Sequence, residues 1–392
     1  MFVNKLNFSM LFKKASSKLI LITFFISLGL GVLDSVFSIY LESVFGNPAM
    51  VGFISGFLVF LMLLTYLYLT QMYSKYKVTQ VWFFSTIALA FSLFALYFFK
   101  SVFMVLIFLI IFEISLALHY NATPILLYNS TTLANLGQVE GKYYTFRNLG
   151  WVVGPLLGSV ILLEFGLVTN FIFIFLFIFI GWFLFTYFEI KSFEEQESPI
   201  VTVKSIHQNL FAFFKNKELL KIYFLKGGLS FYWGLIYVFT PLFIIEHLPV
   251  YYVGVFLFIL AIPVVLLEHM VGKYVDTHSV KPVFIIGFFL MSFFTLVAYI
   301  FSNIYVTLFF LFLSVLGATF VEPTVEYYFF KVIHKNEVNK KYGVYRTSDS
   351  LFSLFCRFSC AFLLLFFTLK ELYLYAGIIL SLFLFVAVKV ID

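Results

Sequence analysis

The chain has 392 residues, 63% hydrophobic and 22% aromatic, with 59 Phe and only 11% charged. A soluble domain carries about 25% charged residues, and even a large one leaves about a quarter of its surface exposed. The composition therefore excludes a soluble enzyme, a disordered chain and a nucleic-acid module. The net charge of +6 comes from Lys and Arg scattered between apolar blocks rather than clustered on one face.

A helix crosses a bilayer with about 20 apolar residues, and long unbroken apolar runs exclude the short alternating segments of a strand barrel. In chain order the expected spans are 19–41, 49–71, 80–99, 102–127, 147–165, 168–189, 221–245, 251–271, 282–301, 304–329, 345–368 and 371–391. The expected fold is thus an all-α integral membrane protein of twelve transmembrane helices. The first run follows Lys5, Lys13, Lys14 and Lys18 as a signal peptide would, but it is longer than an h-region and lacks an A-x-A-like cleavage site, so it reads as a retained span. With the N-terminus cytoplasmic, all but four of the 25 Lys and Arg fall inside. The exceptions are Lys100 and Lys370 outside, and Lys226 and Arg357 within spans. This bias predicts both termini in the cytoplasm of a cell membrane.

The polar interval 190–220 holds Glu194, Glu195, Glu197 and Pro199, then the amphipathic stretch SIHQNLFAFFKNKELLKI. It reads as a cytoplasmic linker with an interfacial helix, dividing the chain into six-helix bundles over 1–189 and 221–392. The halves echo each other. Pro124 lies 23 residues before Arg147, and Pro323 lies 23 before Arg346; KYYTFR (142–147) parallels KYGVYR (341–346), and Tyr128 parallels Tyr327. Glu42 precedes Gly52 much as Glu246 precedes Gly254. This predicts a parallel duplication of a six-span unit.

The strongest motif is GKYYTFRNLGWVVGPLLG (141–158), which reads G-x8-G-x3-G-P-x2-G through Gly141, Gly150, Gly154, Pro155 and Gly158. Glycines four apart make one smooth helix side that lets another backbone approach, and Pro155 can kink the helix. Such a surface suits either ordinary close packing or rocking against a neighbour. Together with twelve spans in two halves, the motif resembles the antiporter signature of proton-coupled drug exporters in the major facilitator superfamily. A second family motif is partial: after span 8, GKYVDTHSVK keeps Gly272, Asp276 and Lys281, while the matching stretch after span 2 has Thr70 and Ser74 in place of Gly and Asp. The resemblance implies a cytoplasmic latch of Asp276 against the start of span 5 near Arg147. It also implies that spans 1, 4, 7 and 10 line a central cavity, with 2, 5, 8 and 11 at the interface between bundles.

A charge near the centre of a span costs about 3 kcal/mol or more, so each invites a functional role. Asp34 shares a helical face with Thr23, Ser27, Gly31 and Ser38, and reads as a protonatable or substrate-facing carboxylate or as a structural hydrogen-bond partner. Arg357 shares a face with Arg346, Ser350, Ser353 and Cys360, and needs an anionic partner or water. Glu113, in line with Tyr120 and Pro124, is the other candidate proton carrier; His119 is a secondary one. Glu322 and Glu326, an i,i+4 acid pair, either titrate or pair with loop lysines. Lys226 and Glu268 are expected to form a structural ion pair. Ser27, Ser38, Tyr120, Tyr237 and Ser353 are candidate cavity-lining residues, and Trp151, Tyr232 and Trp233 are aromatics suited to stacking or anchoring. Cys356 and Cys360 are one turn apart and read as packing residues.

No P-loop, G-x-S-x-G or metal-spaced cluster is present, so the sequence points away from an enzyme, a cofactor or a metal. The expected partners are a small-molecule substrate, protons and membrane lipids, with no nucleic acid, for a monomer. The reading is proton-coupled export by antiport of a lipophilic or cationic compound. Proton symport of a nutrient, or lipid export, is the alternative on the same fold, and a non-transporting membrane sensor is the alternative of another class.

Overall fold

The computed structural model describes residues 15–73, 75–130, 136–190, 211, 213–333 and 338–389. Their long helices are α1 (Ala15–Phe45), α2 (Pro48–Tyr73), α3 (Val78–Phe98), α4 (Val102–Asn129), α5 (Leu136–Phe165) and α6 (Asn170–Tyr187). The second half comprises α7 (Lys217–Ile245), α8 (Tyr251–Thr277), α9 (Val280–Ile300), α10 (Ile304–Val332), α11 (Val338–Leu363) and α12 (Glu371–Val388). Each contains most of one expected span. Eleven are long and apolar enough to cross a bilayer. The exception, α11, carries Arg346, Asp349 and Arg357, which lower its hydropathy, yet it buries Tyr345, Ser348, Cys356 and Cys360 in the protein. A helix can keep such charges among spanning neighbours when they face protein rather than lipid.

The packing repeats with an offset of six helices. α1 packs on α5 and α6 as α7 packs on α11 and α12; α3 packs on α4 and α6 as α9 packs on α10 and α12; α2 meets α4 as α8 meets α10. The two halves touch through α2 with α11 and α5 with α8. Large apolar side chains such as Phe84, Phe103, Phe165 and Phe366 point outward with most of their surface open, as a lipid-facing surface requires.

Between apolar helices in lipid, close backbone approach does the work that hydrophobic burial does in water. The span-5 motif shows this directly. A Cβ on Gly150 would lie 2.5 Å from Ser27 Oγ, and one on Gly154 would lie 2.7 Å from Gly31 Cα. Gly158 similarly abuts Val32 and Ser35. The glycine side of α5 therefore locks onto α1 inside its own half. Across the halves, it is the Pro155 carbonyl and Ser159 of α5 that crowd Gly254 of α8.

The remaining cross-half contacts lie at the same end. A Cβ on Gly52 (α2) would lie 2.6 Å from Ala361 Cβ (α11), and Gly56 faces Phe358. α7 contains a π-helical turn over Leu235–Phe239, followed by Pro241. Pro241 has no N–H for the Tyr237 carbonyl four residues back; Ser38 Oγ of α1 donates to that carbonyl at 3.2 Å. The end holding the α1–α2 and α7–α8 turns is thus sealed by small residues and by one freed carbonyl.

Candidate functional site

Three charged groups converge from three helices. Asp34 is on α1, Glu113 on α4 and Arg357 on α11. The Arg357 guanidinium acts electrostatically on both carboxylates, yet no ion pair closes onto either among the described residues. Arg357 Nη1 instead donates to the Ser55 carbonyl of α2 at 2.9 Å, across the two halves. Its Nε and Asp34 Oδ2 are buried without a hydrogen-bond partner, and Glu113 is only 6% exposed. Two carboxylates share one cation, so with both ionised the group carries one uncompensated negative charge in a low-dielectric setting. A proton removes it.

The polar stripe on α1 divides its contacts. Thr23 and Ser27 line a cavity of about 20 Å³ with Tyr120, Tyr143, Arg147 and Trp151, while their hydroxyls donate to carbonyls one turn back. Gly31 packs on α5, and Ser38 joins the seal to α7. Tyr237 and Tyr120 both lie within electrostatic range of Asp34 and Arg147. Ser353 lies near Gly234 of α7.

A separate network belongs to the second half. Lys226 Nζ of α7 donates to Glu326 at 2.9 Å and lies 3.6 Å from Asp349. Arg346 reaches Asp349 at 3.2 Å and Glu326 at 3.8 Å, and Ser230 donates to Asp349 at 2.7 Å. The expected Lys226–Glu268 pair is thus corrected: α7 packs on α10 and α11, so Lys226 turns to Glu326 and Asp349. Among the described residues Glu326 pairs with these cations, and Glu322 lies within electrostatic range of Lys226.

His119 lines the same cavity as Tyr120 and Arg147, together with Thr123. Both ring nitrogens of His119 are engaged, Nδ1 with Thr86 at 2.8 Å and Nε2 with Thr123 at 3.4 Å; Trp82 Nε1 donates to the same Thr123 at 3.0 Å. Cys356 and Cys360 are buried free thiols. Gly141 lies in the helical run of α5, and Gly272 in α8 meets nothing within 4 Å. The Asp276 side chain of the expected latch, residues 191–210 and Ser74 lie outside the described residues, and Lys281 opens α9. Sequence reasoning missed Tyr66 of α2, which lies within electrostatic range of Glu113, Arg147, Arg346 and Asp349. A single Tyr in an aromatic-rich span carries no signal of that position.

The geometry is therefore two six-helix units, sealed together at one end, with charged groups from both at the centre. The Major Facilitator Superfamily model matches residues 19–267 and 249–391, nearly the whole chain. The chain belongs to the Major Facilitator Superfamily. It is a secondary transporter of small molecules built on a transporter fold rather than an enzyme fold. Among solved structures, the fold is similar to that of the nucleoside transporter NupG, with a TM-score of 0.77 at 13% identity over 95% of this chain and 98% of that one. It is also similar to a POT family transporter in complex with a thioalcohol-conjugated peptide, with a TM-score of 0.76 at 9% identity over 94% of each chain. A POT family transporter in complex with 5-aminolevulinic acid gives 0.77, again at 9% identity over 94% of each chain. No curated protein matches this superfamily member in sequence.

Proposed function

We propose that this transporter couples the uptake of a small polar solute to protons, with Asp34, Glu113 and Arg357 as the coupling site. The carrying observation is the pair of carboxylates around one buried guanidinium that also reaches across the halves to Ser55. Passing through an occluded form is favoured when that group is neutral, which requires one bound proton. Solute in the cavity by Tyr120 and Trp151 moves with that proton if only the loaded form crosses. Export was the expectation drawn from the span-5 motif. Gly150, Gly154 and Gly158 are occupied by packing on α1, so the motif carries no argument for direction, and the similar structures, named for a nucleoside or bound to a peptide conjugate, support a polar solute.

In this reading both termini are cytoplasmic and the sealed end faces outside. The protein is a monomer with bundles at 1–189 and 221–392 joined by the 190–220 linker, in a cell membrane. His119 is a packing residue, and Glu322 and Glu326 belong to the network that holds α7, α10 and α11 together. The test is uptake by cells expressing the protein, with a panel of nucleosides, amino acids, dipeptides and organic acids. Accumulation that needs an inward proton gradient and collapses with a protonophore supports the reading. Gradient-driven extrusion of any panel member restores the export alternative.

A further inference from the structure

The repeat places Arg147 and Arg346 at matching positions, at the same offset from Pro124 and Pro323. Their surroundings differ. Arg346 is neutralised by Asp349 and Glu326. The first half has Gly150 and Leu127 at the corresponding positions, 199 residues earlier, so the acids are missing. Among the described residues no carboxylate pairs with Arg147 and no hydrogen bond satisfies it. It lines the cavity with Tyr120, Tyr143, Trp151, Thr23 and Ser27, and Tyr66 stands within electrostatic range of it.

We propose that Arg147 is the anion subsite of the substrate cavity, so that the transported solute carries a carboxylate or a phosphate that docks on the Arg147 guanidinium beside Tyr120 and Tyr143. This rests on the proposed transport function and adds the substrate class. A guanidinium with no partner among the described residues presents a planar fork of donors that matches a carboxylate or phosphate. The cavity of about 20 Å³ admits the head group alone, and its aromatic walls shield that contact from water. Glu268 and Glu322 of the second half lie within electrostatic range of Arg147. They repel a second negative charge at that end of the cavity and favour an ammonium there, so a zwitterion and a simple monoanion share the same head-group chemistry and differ in affinity.

The experiment is direct binding to the purified full-length protein in detergent, read by thermal shift and calorimetry. The probes are benzoate as monoanion, dialanine as zwitterion, inorganic phosphate and neutral uridine. The expected result is binding of at least one anionic probe and none of uridine. Affinity should weaken by at least about tenfold in Arg147→Gln, as for loss of a charge-assisted bidentate contact, and less in Arg147→Lys, which keeps the charge without the fork. Binding of dialanine over benzoate assigns the zwitterion; the reverse assigns the monoanion. Arg147→Lys also serves as the measurable variant if Arg147→Gln does not fold. Failure of all three anionic probes to bind, or binding unchanged in both variants, overturns the proposal. The readout needs no membrane or gradient. Proton-coupled transport of a neutral solute refutes the subsite alone, and anion binding without any coupling refutes the transport reading alone.

Discussion

At the residue scale the chemistry depends on which side chains are left unsatisfied. Asp34 Oδ2 and Arg357 Nε are buried without partners, which is an expensive state unless water, a proton or a ligand completes it. Asp34→Asn and Glu113→Gln are expected to separate transport from coupling. Accumulation against a gradient is lost in whichever variant removes the proton carrier, while exchange of labelled for unlabelled solute persists. Equal loss of both activities in both variants would show a structural role instead. His119 serves as the contrast. Removing it in His119→Ala deletes its two bonds to Thr86 and Thr123, whose hydroxyls keep the carbonyls of Trp82 and residue 119, so stability falls by about 1–3 kcal/mol, and the pH profile of transport stays where it was. Thermal unfolding and pH-dependent uptake measured together check this.

At the element scale, helices are held by small residues where a second backbone comes close. Gly154→Leu would drive a side chain into Gly31 of α1, and overpacking of this kind destabilises by about 1–3 kcal/mol or more; expression yield and unfolding temperature should both drop. Gly254→Leu acts at a different place, between Pro155 of α5 and α8, so it should pry apart the sealed end without breaking either bundle. Spin labels on Asn47→Cys and Lys370→Cys, placed at that end on opposite halves, should move apart in the Gly254→Leu background; the native Cys356 and Cys360 are buried. An unchanged distance would mean that the seal does not rest on this contact. The glycine pattern at 150, 154 and 158 made one smooth helix side legible in the sequence. Spacing along one helix names a face and not its neighbour, however, so the occupant of that face, α1 of the same half, was not legible. The same limit misassigned Lys226, whose partners Glu326 and Asp349 sit on helices distant in sequence.

At the scale of the whole molecule, the twelve spans and their pairing into two repeats were legible because run length and charge bias act directly on the bilayer. The shared Pro-to-Arg offset also marked the repeat. What the offset concealed was the broken symmetry: Asp349 and Glu326, which pair with Arg346, correspond to Gly150 and Leu127 in the first half. The second half thus carries a balanced ion network between α7, α10 and α11. Lys226→Met is expected to destabilise that half by about 1–3 kcal/mol, since it removes one of the two cations that Glu326 and Asp349 share and leaves Arg346 alone with both, and combining it with Glu326→Gln should recover part of the loss. A double mutant no more stable than Lys226→Met would contradict a network held by that pair.

The central claim is that solute and proton move in the same direction. It is tested most directly in proteoliposomes with a pH-sensitive dye trapped in the lumen, a potassium clamp on the membrane potential and no initial pH gradient. A panel solute found to be transported in cells is then added outside. The account predicts acidification of the lumen, whichever way the protein is inserted, and its loss in whichever of Asp34→Asn or Glu113→Gln removes the proton carrier. Alkalinisation of the lumen would contradict it and assign antiport.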